Sequence, residues 1–204
     1  MIPRFKLVSF FNIFREYKII LLNSISSIFA SFWAILYGIK LGSDIKFIGV
    51  PKFYRAKGSS MVLKSKCTFI SNSYVNLIGV NHRCILSTLR DGAKLVIEES
   101  SGFSGVTIGC AKRILIGRNV MVGANVLITD TNWHNISVQS RNLPDPYPKD
   151  VVIEDNVFIG YGSIILKGVT IGRNSVIGAG SVVCESIPSN CIAKGNPCRV
   201  VRSI

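Results

Sequence analysis

Hydrophobic residues recur at every sixth position over a long stretch near the end of the 204-residue chain. From residue 153 to residue 188 the sequence reads, in consecutive sixes, IEDNVF, IGYGSI, ILKGVT, IGRNSV, IGAGSV and VCESIP. Isoleucine or valine occupies the first place of every unit, and a small or aliphatic residue occupies the fifth. An earlier block, with leading residues Ile116, Val122 and Ile128, has the same pattern in a different frame.

A strict period of six residues fits neither an α-helix nor a sheet of ordinary hairpins. Six residues can form one short strand and a turn, and three such units close a triangular coil of about 18 residues. The leading aliphatic side chains then stack inside the coil, while glycine and asparagine at the corners suit a backbone with positive φ. The pattern therefore predicts an all-β fold, a parallel β-helix over residues 44–186.

The period is irregular upstream, between about residue 44 and residue 111. Polar residues and glycine separate short apolar runs there, which are Met61–Leu63, Phe69–Ile70, Leu77–Ile78, Ile85–Leu86 and Leu95–Ile97. We interpret these runs as strands of degenerate coils that continue the same β-helix.

The regular pattern is interrupted between Ile128 and Ile153, which lie 25 positions apart, one more than four hexads. Residues 129–150 hold three prolines together with Trp133 and His134, and such a segment cannot continue a coil. Because a long irregular loop in a repeat protein is usually functional, we predict that this protruding loop carries an active site. His134 is the candidate general base, since histidine exchanges protons near neutral pH.

Two neighbours of His134 are candidate substrate-binding residues. Asp130 is expected to fix the tautomer of the imidazole, and Trp133 is expected to offer a flat apolar face to a sugar ring. The alternatives are a His134 that only makes local hydrogen bonds and a Trp133 that packs the loop against the coils. His82, in the segment VNHRC, has no such context and is predicted to be a surface turn residue.

The positive charge of the chain is concentrated near its N-terminus. The net charge is +13 overall, and residues 1–66 hold eleven Lys and Arg against Glu16 and Asp44, a net +9. No arginine-rich helix, zinc-ligand spacing or basic and aromatic recognition motif is present, so we predict that nucleic acid is not a partner. An anionic membrane surface or a phosphorylated ligand remains.

Residues 19–39 form an uncharged run of 21 positions within the N-terminal segment, residues 1–43. This length can cross a bilayer. However, Asn23, Ser27 and Ser31 would draw a polar stripe along a helix otherwise made largely of Ile, Leu, Phe and Trp. We predict a helix that lies at a membrane interface or packs on protein, rather than a span. In an alternative arrangement, its apolar face covers the end of the β-helix.

The six cysteines form no CxxC pair, and the chain has only two histidines. We therefore predict no metal site. We interpret the cysteines as free thiols, buried or half-buried, in a reducing cytosol, while their even number leaves a disulfide framework as the alternative.

Residues 116–204 resemble the galactoside and maltose acetyltransferase branch of the hexapeptide-repeat family, and more closely the O-acetyltransferases of cell-surface polysaccharide biosynthesis. The segment ITDTNWHNI (128–136) is similar to the catalytic loop of that branch, whose histidine falls on His134. IEDNVFIGYGSIILKGVTIGRNSVIGAGSVV matches its paired C-terminal coils, and IPSNCIAKGNPCRVVRSI (187–204) matches its tail. FSGVTIG (103–109) resembles the segment before the last regular coils.

The resemblance implies left-handed crossovers, a homotrimer, and acetyl-CoA bound in the groove between adjacent β-helices. The small residues along which the pantetheine arm would lie are Gly160, Gly162, Ala179 and Gly180. Lys194 and Arg199, with Arg202 as a third candidate, would meet the phosphates of the cofactor. The alternative for these cations is a solvated basic tail.

Two positions depart from the family pattern. Glu185 stands where many relatives carry a lysine that helps to bind the nucleotide, so that contact cannot be carried over. Ser104 or Gly105 stands where the sugar acetyltransferases have an asparagine at the acceptor site. Ser104 is retained as a candidate acceptor-binding residue, together with Arg141 of the loop.

The resulting prediction is an O-acetyltransferase that moves an acetyl group from acetyl-CoA to a sugar hydroxyl in capsule, O-antigen or exopolysaccharide biosynthesis. The expected location is the cytoplasm, at the inner face of the membrane if the acceptor is a lipid-linked saccharide. An amino-sugar N-acyltransferase and a serine acetyltransferase remain alternatives within the same chemistry. A non-catalytic β-helix scaffold would keep the coils but would not need a histidine loop.

Overall fold

The structure, a computed structural model, describes residues 24–204, and the predictions made for residues 1–23 lie outside this range. Helix α1 is described from residue 24 to residue 36. The first sheet holds β1 (Lys40–Leu41), β4 (Ser60–Leu63), β7 (Lys94–Ile97), β10 (Arg113–Ile116), β13 (Val151–Ile153) and β16 (Thr170–Ile171). The second holds β2 (Lys46–Ile48), β5 (Thr68–Ile70), β8 (Gly102–Ser104), β11 (Met121–Val122), β14 (Phe158–Ile159), β17 (Val176–Ile177), β19 (Cys191–Lys194) and β20 (Arg199–Ser203). The third holds β3 (Lys52–Arg55), β6 (Ile85–Thr88), β9 (Thr107–Cys110), β12 (Leu127–Thr129), β15 (Ile164–Ile165) and β18 (Val182–Val183).

Successive strands from β1 to β18 belong to the first, second and third sheet in turn. Neighbouring strands of each sheet run parallel, apart from the antiparallel pair of β19 and β20. Three strands therefore make one turn of a triangular coil, and six turns stack before β19 begins a seventh. We call the edges of this prism the first corner (between the first and second sheets), the second corner (between the second and third) and the third corner (between the third and first). The predicted parallel β-helix is confirmed.

The interior of the coil is built by the leading residues of the hexads. Every leading residue in both blocks is buried, and so is every fifth-place residue of the later block; the leading residues are Ile116, Val122, Ile128, Ile153, Ile159, Ile165, Ile171, Ile177 and Val183. In the first three turns the second sheet instead points a stack of aromatic rings inward. The centroids of Phe47 and Phe69 lie 5.4 Å apart, and those of Phe69 and Phe103 lie 5.0 Å apart. Aromatic stacking replaces aliphatic packing where the six-residue period is irregular.

Four of the five apolar runs upstream lie in strands as predicted. The prediction for Leu77–Ile78 is wrong. Both side chains are exposed, Leu77 almost completely, in the irregular loop 71–84 that joins β5 to β6 at the second corner. Short apolar runs therefore do not identify strands reliably once the hexad spacing is lost.

Asparagine occupies the first corner in the regular turns, where the backbone has positive φ. The amide Nδ2 of each asparagine donates to Oδ1 of the next one down the stack, over 3.3, 3.1 and 2.8 Å for Asn119, Asn156, Asn174 and Asn190 in order. Asparagine tolerates this conformation, and its side chain links one turn to the next. The expected role of asparagine at the corners is confirmed.

Helix α1 packs on the first turn through its small and polar residues. The Ser26 hydroxyl donates to Phe47 O over 3.0 Å and accepts from Gly49 N over 3.0 Å, and the Ser27 hydroxyl accepts from Phe47 N over 3.1 Å. Ala30 and Ala34 are fully buried, whereas the large apolar residues of the helix are exposed. The arrangement in which the apolar face covers the end of the β-helix is therefore wrong. Among residues 24–204, no helix is long and apolar enough to cross a membrane.

Candidate active site

The loop between β12 and β13 leaves the coil at the third corner and is anchored at its base by Asp130. This carboxylate is fully buried and accepts hydrogen bonds from three successive backbone amides, those of Ala111, Lys112 and Arg113, over 2.6, 2.7 and 2.8 Å. Lys149 N donates to Asp130 O over 2.9 Å, which brings the end of the loop back to its start. Asp130 thus closes the base of the loop and is not available to a substrate in this conformation.

Beyond this base, the loop forms a short two-stranded arm. His134 and Pro144 face each other in an antiparallel bridge, and Asn135 N donates to Leu143 O over 2.9 Å. The 3-10 helix η1 (Val138–Ser140) forms the tip of the arm. The arm gives His134 a defined backbone position, although its side chain is exposed to solvent.

Asp145 fastens the arm to the coils. One carboxylate oxygen of Asp145 accepts from Asn132 N over 2.8 Å, from the Thr131 hydroxyl over 3.4 Å and from the Lys167 ammonium over 2.6 Å. The other accepts from Tyr147 N over 3.0 Å. Burial alone would raise the pKa of Asp145, but the hydrogen bonds from Asn132, Lys167 and Tyr147 outweigh it and lower the pKa to about 2. Asp145 therefore stays ionised well below neutral pH.

The imidazole of His134 is oriented by a backbone carbonyl. Its Nδ1 lies 3.1 Å from Arg141 O, across the arm. A carbonyl oxygen can only accept, so this hydrogen bond requires the proton on Nδ1, and the neutral ring then carries its lone pair on Nε2. The expectation that Asp130 fixes the tautomer is wrong, because the Asp130 carboxylate is occupied by the amides at the base of the loop. The carbonyl of Arg141 takes this role.

Trp133 and Arg141, the other two candidates in the loop, both make contacts within the protein. The indole of Trp133 lies so close to Gly109 of β9 that a Cβ added there would be 2.5 Å from its Cζ2 atom. One side of the indole thus packs on the coil, as one of the two alternatives predicted, while 44% of the residue remains exposed. The Arg141 guanidinium donates to Ile136 O over 3.3 Å, yet the residue is also exposed. Contacts of Trp133 and Arg141 with a substrate stay predictions.

Ser104 lies at the other edge of the third sheet, at the second corner. It is buried, and its hydroxyl accepts from the Asn76 amide over 2.9 Å. Asn76 belongs to the loop 71–84, and Asn125 holds the same loop by donating to Gly79 O over 2.8 Å. An asparagine side chain therefore reaches the Ser104 position from a neighbouring loop, which the sequence alone did not indicate.

The four small residues proposed for the pantetheine arm also lie at the second corner, in the fifth and sixth turns. Gly162 and Gly180 have positive φ and open space where a side chain would be, and Ala179 is exposed. Gly160 differs, because a Cβ there would lie 2.5 Å from Ala179 N of the next turn. Gly160 is buried and lets two turns approach each other, so the expectation that it leaves room for a ligand is wrong. The other three leave an accessible edge of the coil.

Replacing Gly160 by alanine is expected to destabilise the fold by about 1–3 kcal/mol, because the new methyl group meets the backbone of the next turn. Chemical denaturation followed by circular dichroism measures this change. Gly102→Ala is the matched control in the second sheet, since no atom lies within 4 Å of a Cβ added at Gly102. Equal stability of the two variants would contradict the assigned packing role of Gly160.

The basic tail folds back on the last turn. Lys194 of β19 pairs with Arg199 of β20 in the antiparallel ladder. The Arg199 guanidinium donates to the Glu185 carboxylate over 3.0 Å, and both side chains are more than half exposed. At Glu185, where the chain departs from the family pattern, an acid therefore partly neutralises Arg199, one of the cations predicted to meet phosphates.

The predicted site residues therefore fall into two groups on opposite edges of the third sheet. Trp133, His134 and Arg141 belong to the arm at the third corner, and Ser104 lies with the small residues and the tail at the second corner. Asp145 and Lys167, which hold the arm in place, were not among the site residues predicted from the sequence. An acid between prolines, as in LPDPYP, was the available signal for Asp145, but only the fold brings Lys167 to it.

In chemical terms, the arm presents an exposed imidazole whose Nε2 is the basic nitrogen when the ring is neutral. The thiol in contact with the loop is unsuited to act as a nucleophile. Cys110 Sγ lies 3.6 Å from the Asp130 carboxylate, and burial together with the Asp130 charge raises the pKa of that thiol. A raised pKa keeps the sulfur protonated and unreactive. The arm thus carries a candidate proton acceptor, His134, and the thiol at its base is an unreactive one.

Comparison with known proteins identifies a family model and relatives that are similar to part of the chain. Residues 150–185 match the family model of the bacterial transferase hexapeptide (six repeats). The galactoside O-acetyltransferase of Lactococcus lactis is 52% identical over 91 residues, and that of Escherichia coli is 45% identical over 91 residues. Each alignment covers 45% of this chain and 44% of the relative, so the chain matches less than half the length of these curated relatives.

A solved structure extends the likeness to most of the chain. A variant of AntD, an N-acyltransferase from Bacillus cereus in complex with dTDP-4-amino-4,6-dideoxyglucose and coenzyme A, superposes with a TM-score of 0.61. The superposition covers 85% of this chain and 88% of AntD at 19% identity, and at this identity it shows the fold alone. From the hexads, the three parallel sheets and these relatives, we conclude that the chain belongs to the hexapeptide-repeat transferase family and has its left-handed parallel β-helix fold.

Proposed function

We propose that the protein is an acetyl-CoA-dependent O-acetyltransferase that acts on a sugar hydroxyl, with His134 as the general base. The observation that carries this proposal is the hydrogen bond from His134 Nδ1 to Arg141 O, which leaves Nε2 as a proton acceptor on an exposed arm. The galactoside O-acetyltransferases among the relatives favour an oxygen nucleophile and a sugar acceptor. Their short overlap with this chain makes the activity a proposal rather than a property inherited from them.

In the proposed reaction, Nε2 of His134 takes the proton of the acceptor hydroxyl as its oxygen attacks the thioester carbonyl of acetyl-CoA. A backbone N–H stabilises the oxyanion of the tetrahedral intermediate. The intermediate collapses by breaking the carbon–sulfur bond, and the imidazolium returns the proton to the leaving thiolate. The products are an acetyl ester and free CoA, and no cysteine of the chain is acylated.

A homotrimer would complete the site. In one chain, His134 and the small residues at the second corner lie on opposite edges of the third sheet. Three copies around an axis would allow the arm of one copy to face the second corner of its neighbour, where Gly162, Ala179 and Gly180 leave room for the pantetheine arm. Lys194 and Arg199 belong to the tail below this corner and would meet the phosphates of the cofactor.

The acceptor in this proposal is a saccharide precursor of a capsule, O-antigen or exopolysaccharide, in free or lipid-linked form. Acetylation at the cytoplasmic face of the membrane would give the enzyme access both to acetyl-CoA and to such a precursor. Trp133, half-exposed beside His134, and Ser104 with its partner Asn76 are the side chains that we expect to bind this acceptor.

The test of the proposed function is release of CoA from acetyl-CoA by the purified protein against sugars, nucleotide sugars, lipid-linked saccharides and serine. Acceptor-dependent release that yields an ester cleaved by mild alkali supports the proposal. A product stable to mild alkali would establish the N-acyltransferase alternative, and turnover with serine alone would establish the serine acetyltransferase. Failure to bind acetyl-CoA would favour the scaffold.

Neutralising Glu185 is expected to strengthen acetyl-CoA binding. Glu185→Gln frees the Arg199 guanidinium from its ion pair, and an exposed pair of this kind is worth up to about 1 kcal/mol, so the KM for acetyl-CoA should fall by about two- to five-fold. The measurement is the KM at low and at high salt, since screening should remove the gain. Glu154→Gln makes the same charge change beside Arg173 at the first corner and should leave the KM unchanged. An unchanged KM in Glu185→Gln would argue against phosphate binding by Arg199.

A further inference from the structure

The outward face of α1 is an unusual surface for a helix packed on a globular domain. The helix turns its small and hydroxyl-bearing residues towards the β-helix, as described above, and its large apolar residues towards solvent. The large residues of α1 that are at least 40% exposed are Ile25, Ile28, Phe29, Phe32, Trp33, Ile35 and Leu36. A surface helix normally has the opposite arrangement, with its apolar stripe facing the core.

The exposed apolar residues form one continuous face, which we call the outer face of α1. They follow the helical spacing of three and four residues, from Ile25 through Phe29 and Phe32 to Leu36. No Asp, Glu, Lys or Arg occurs between residue 24 and residue 36. Because the side chains of this face are large and apolar, a partner that shields them from water would stabilise it.

The two turns of the coil next to α1 are strongly basic. Between residue 40 and residue 66 the chain has seven Lys and Arg and a single acid, Asp44. Six of the seven are exposed lysines, namely Lys40, Lys46, Lys52, Lys57, Lys64 and Lys66. None of these lysines takes part in an ion pair of the described chain, whose ion pairs all lie in later turns. The seventh cation, Arg55, has a structural role, because its guanidinium donates to Tyr37 O and so holds the C-terminal end of α1.

We propose that the outer face of α1 and the lysines of the first two turns bind the surface of an anionic phospholipid bilayer. The apolar side chains enter the boundary between headgroups and acyl chains, while the lysines meet the lipid phosphates. Trp33 and Tyr37, near the C-terminal end of the helix, are residues that favour this boundary. The β-helix then stands on the bilayer through its first turn, with the loop of His134 in the fourth turn above the surface.

A second copy of the chain is the competing occupant of the outer face. Charge favours the bilayer, because pairing two copies through this end would also bring two sets of unpaired lysines together. An anionic bilayer instead supplies opposite charge and an apolar layer at once. Membrane attachment does not depend on the proposed acetyl transfer, since turnover of a water-soluble acceptor requires only the arm and the second corner.

The test is sedimentation of the full-length chain with vesicles of phosphatidylcholine alone and of phosphatidylcholine with about 30% phosphatidylglycerol. The wild type should bind the anionic vesicles, and binding should weaken as salt is added. Replacing Phe29, Phe32 and Leu36 together by serine should lower the partition about tenfold or more. Leu77→Ser with Ile78→Ser is the matched control, because these residues are apolar and at least as exposed but lie on the loop 71–84.

A second set of variants tests the lysines. Replacing Lys46, Lys64 and Lys66 together by glutamine should lower binding to the anionic vesicles about tenfold and leave little dependence on phosphatidylglycerol. The same change at Lys94, Arg118 and Arg173, in later turns, removes equal charge and should have a smaller effect. Unchanged sedimentation of the Phe29, Phe32 and Leu36 variant would overturn the proposal. A smaller oligomer by light scattering with unchanged vesicle binding would assign the outer face to a second copy instead. Circular dichroism of every variant verifies folding.

Discussion

His134→Ala is expected to lower kcat for acetyl transfer by about 10²- to 10⁴-fold, the range for loss of a general base. The KM for acetyl-CoA should change little, because the proposed contacts of the cofactor lie at the second corner rather than on the arm. The fold should also be unaffected, since the imidazole is exposed and its hydrogen bond within residues 24–204 is to a backbone carbonyl, Arg141 O. Steady-state release of CoA with a saturating acceptor measures the loss.

Two further variants separate proton abstraction from support of the arm. His134→Asn keeps a side-chain N–H that can donate to Arg141 O but has no basic nitrogen, so it should be as inactive as the alanine variant. His82→Ala is the matched control, because His82 is the other histidine and its Nδ1 also lies near a backbone carbonyl, 2.9 Å from Arg83 O. Near-normal turnover in either His134 variant would remove His134 as the base.

The regular coils could be predicted from the sequence because their packing depends on one repeated requirement. Each leading residue must be buried at every turn, and six consecutive hexads fulfil that requirement without exception. The first turns were harder to predict, because their interior uses the stacked rings of Phe47, Phe69 and Phe103 in place of aliphatic residues. Their first corners also differ, with Asp44, Lys66 and Ser100 in the positive-φ positions that asparagine fills later.

The orientation of α1 could not be obtained from periodicity. A helical pattern shows which residues share a face, but it does not show which face the rest of the protein covers. Here the deciding contacts are hydrogen bonds from Ser26 and Ser27 to the exposed backbone edge of β2, together with close packing at Ala30 and Ala34. Hydroxyl groups satisfy that backbone edge, which large apolar side chains cannot do.

The loop of His134 shows, for single residues, the same limit of prediction from sequence. His134 was identifiable because it lies where the repeat is interrupted, but its supporting residues were assigned by distance along the chain. Asp130, four positions away, serves the base of the loop, while the support for the imidazole comes from the backbone of Arg141. The residue that fixes the arm, Asp145, depends on Lys167 from the next turn, a contact that only the coil geometry creates.

Asp145→Ala is expected to lower kcat/KM by about 100-fold, although Asp145 does not contact His134. The carboxylate is almost completely buried and holds Thr131, Asn132, Tyr147 and Lys167 together at the root of the arm. Its removal leaves the Lys167 ammonium, whose side chain is only 18% exposed, without its carboxylate partner, although it still donates to Tyr147 O, at a cost of about 3 kcal/mol. The arm would shift, and a displacement of about 1 Å at a catalytic group is sufficient for a loss of this size.

Turnover and denaturation of three variants distinguish this role from a general loss of charge. Asp150→Asn removes an acid where the loop returns to the coil, where Asp150 pairs with the exposed Lys112, and should be nearly neutral. Lys167→Met should be milder than Asp145→Ala, because Asp145 keeps its hydrogen bonds from Thr131, Asn132 and Tyr147. Wild-type turnover in Asp145→Ala would show that the arm does not need this anchor.

The lowered pKa of Asp145 also predicts how the arm responds to acid. Because the pKa of Asp145 is lowered to about 2 from a reference value of 3.8, its ionisation stabilises the folded arm above about pH 4. This contribution is lost as the pH falls from about 4 through about 2, where the folded carboxylate takes up its proton. Trp133 packs against the coil beside Asn132, so its fluorescence in a Trp33→Phe background reports detachment of the arm. The emission should shift in that pH window in the parent protein, whereas in Asp145→Ala it should already be shifted at neutral pH.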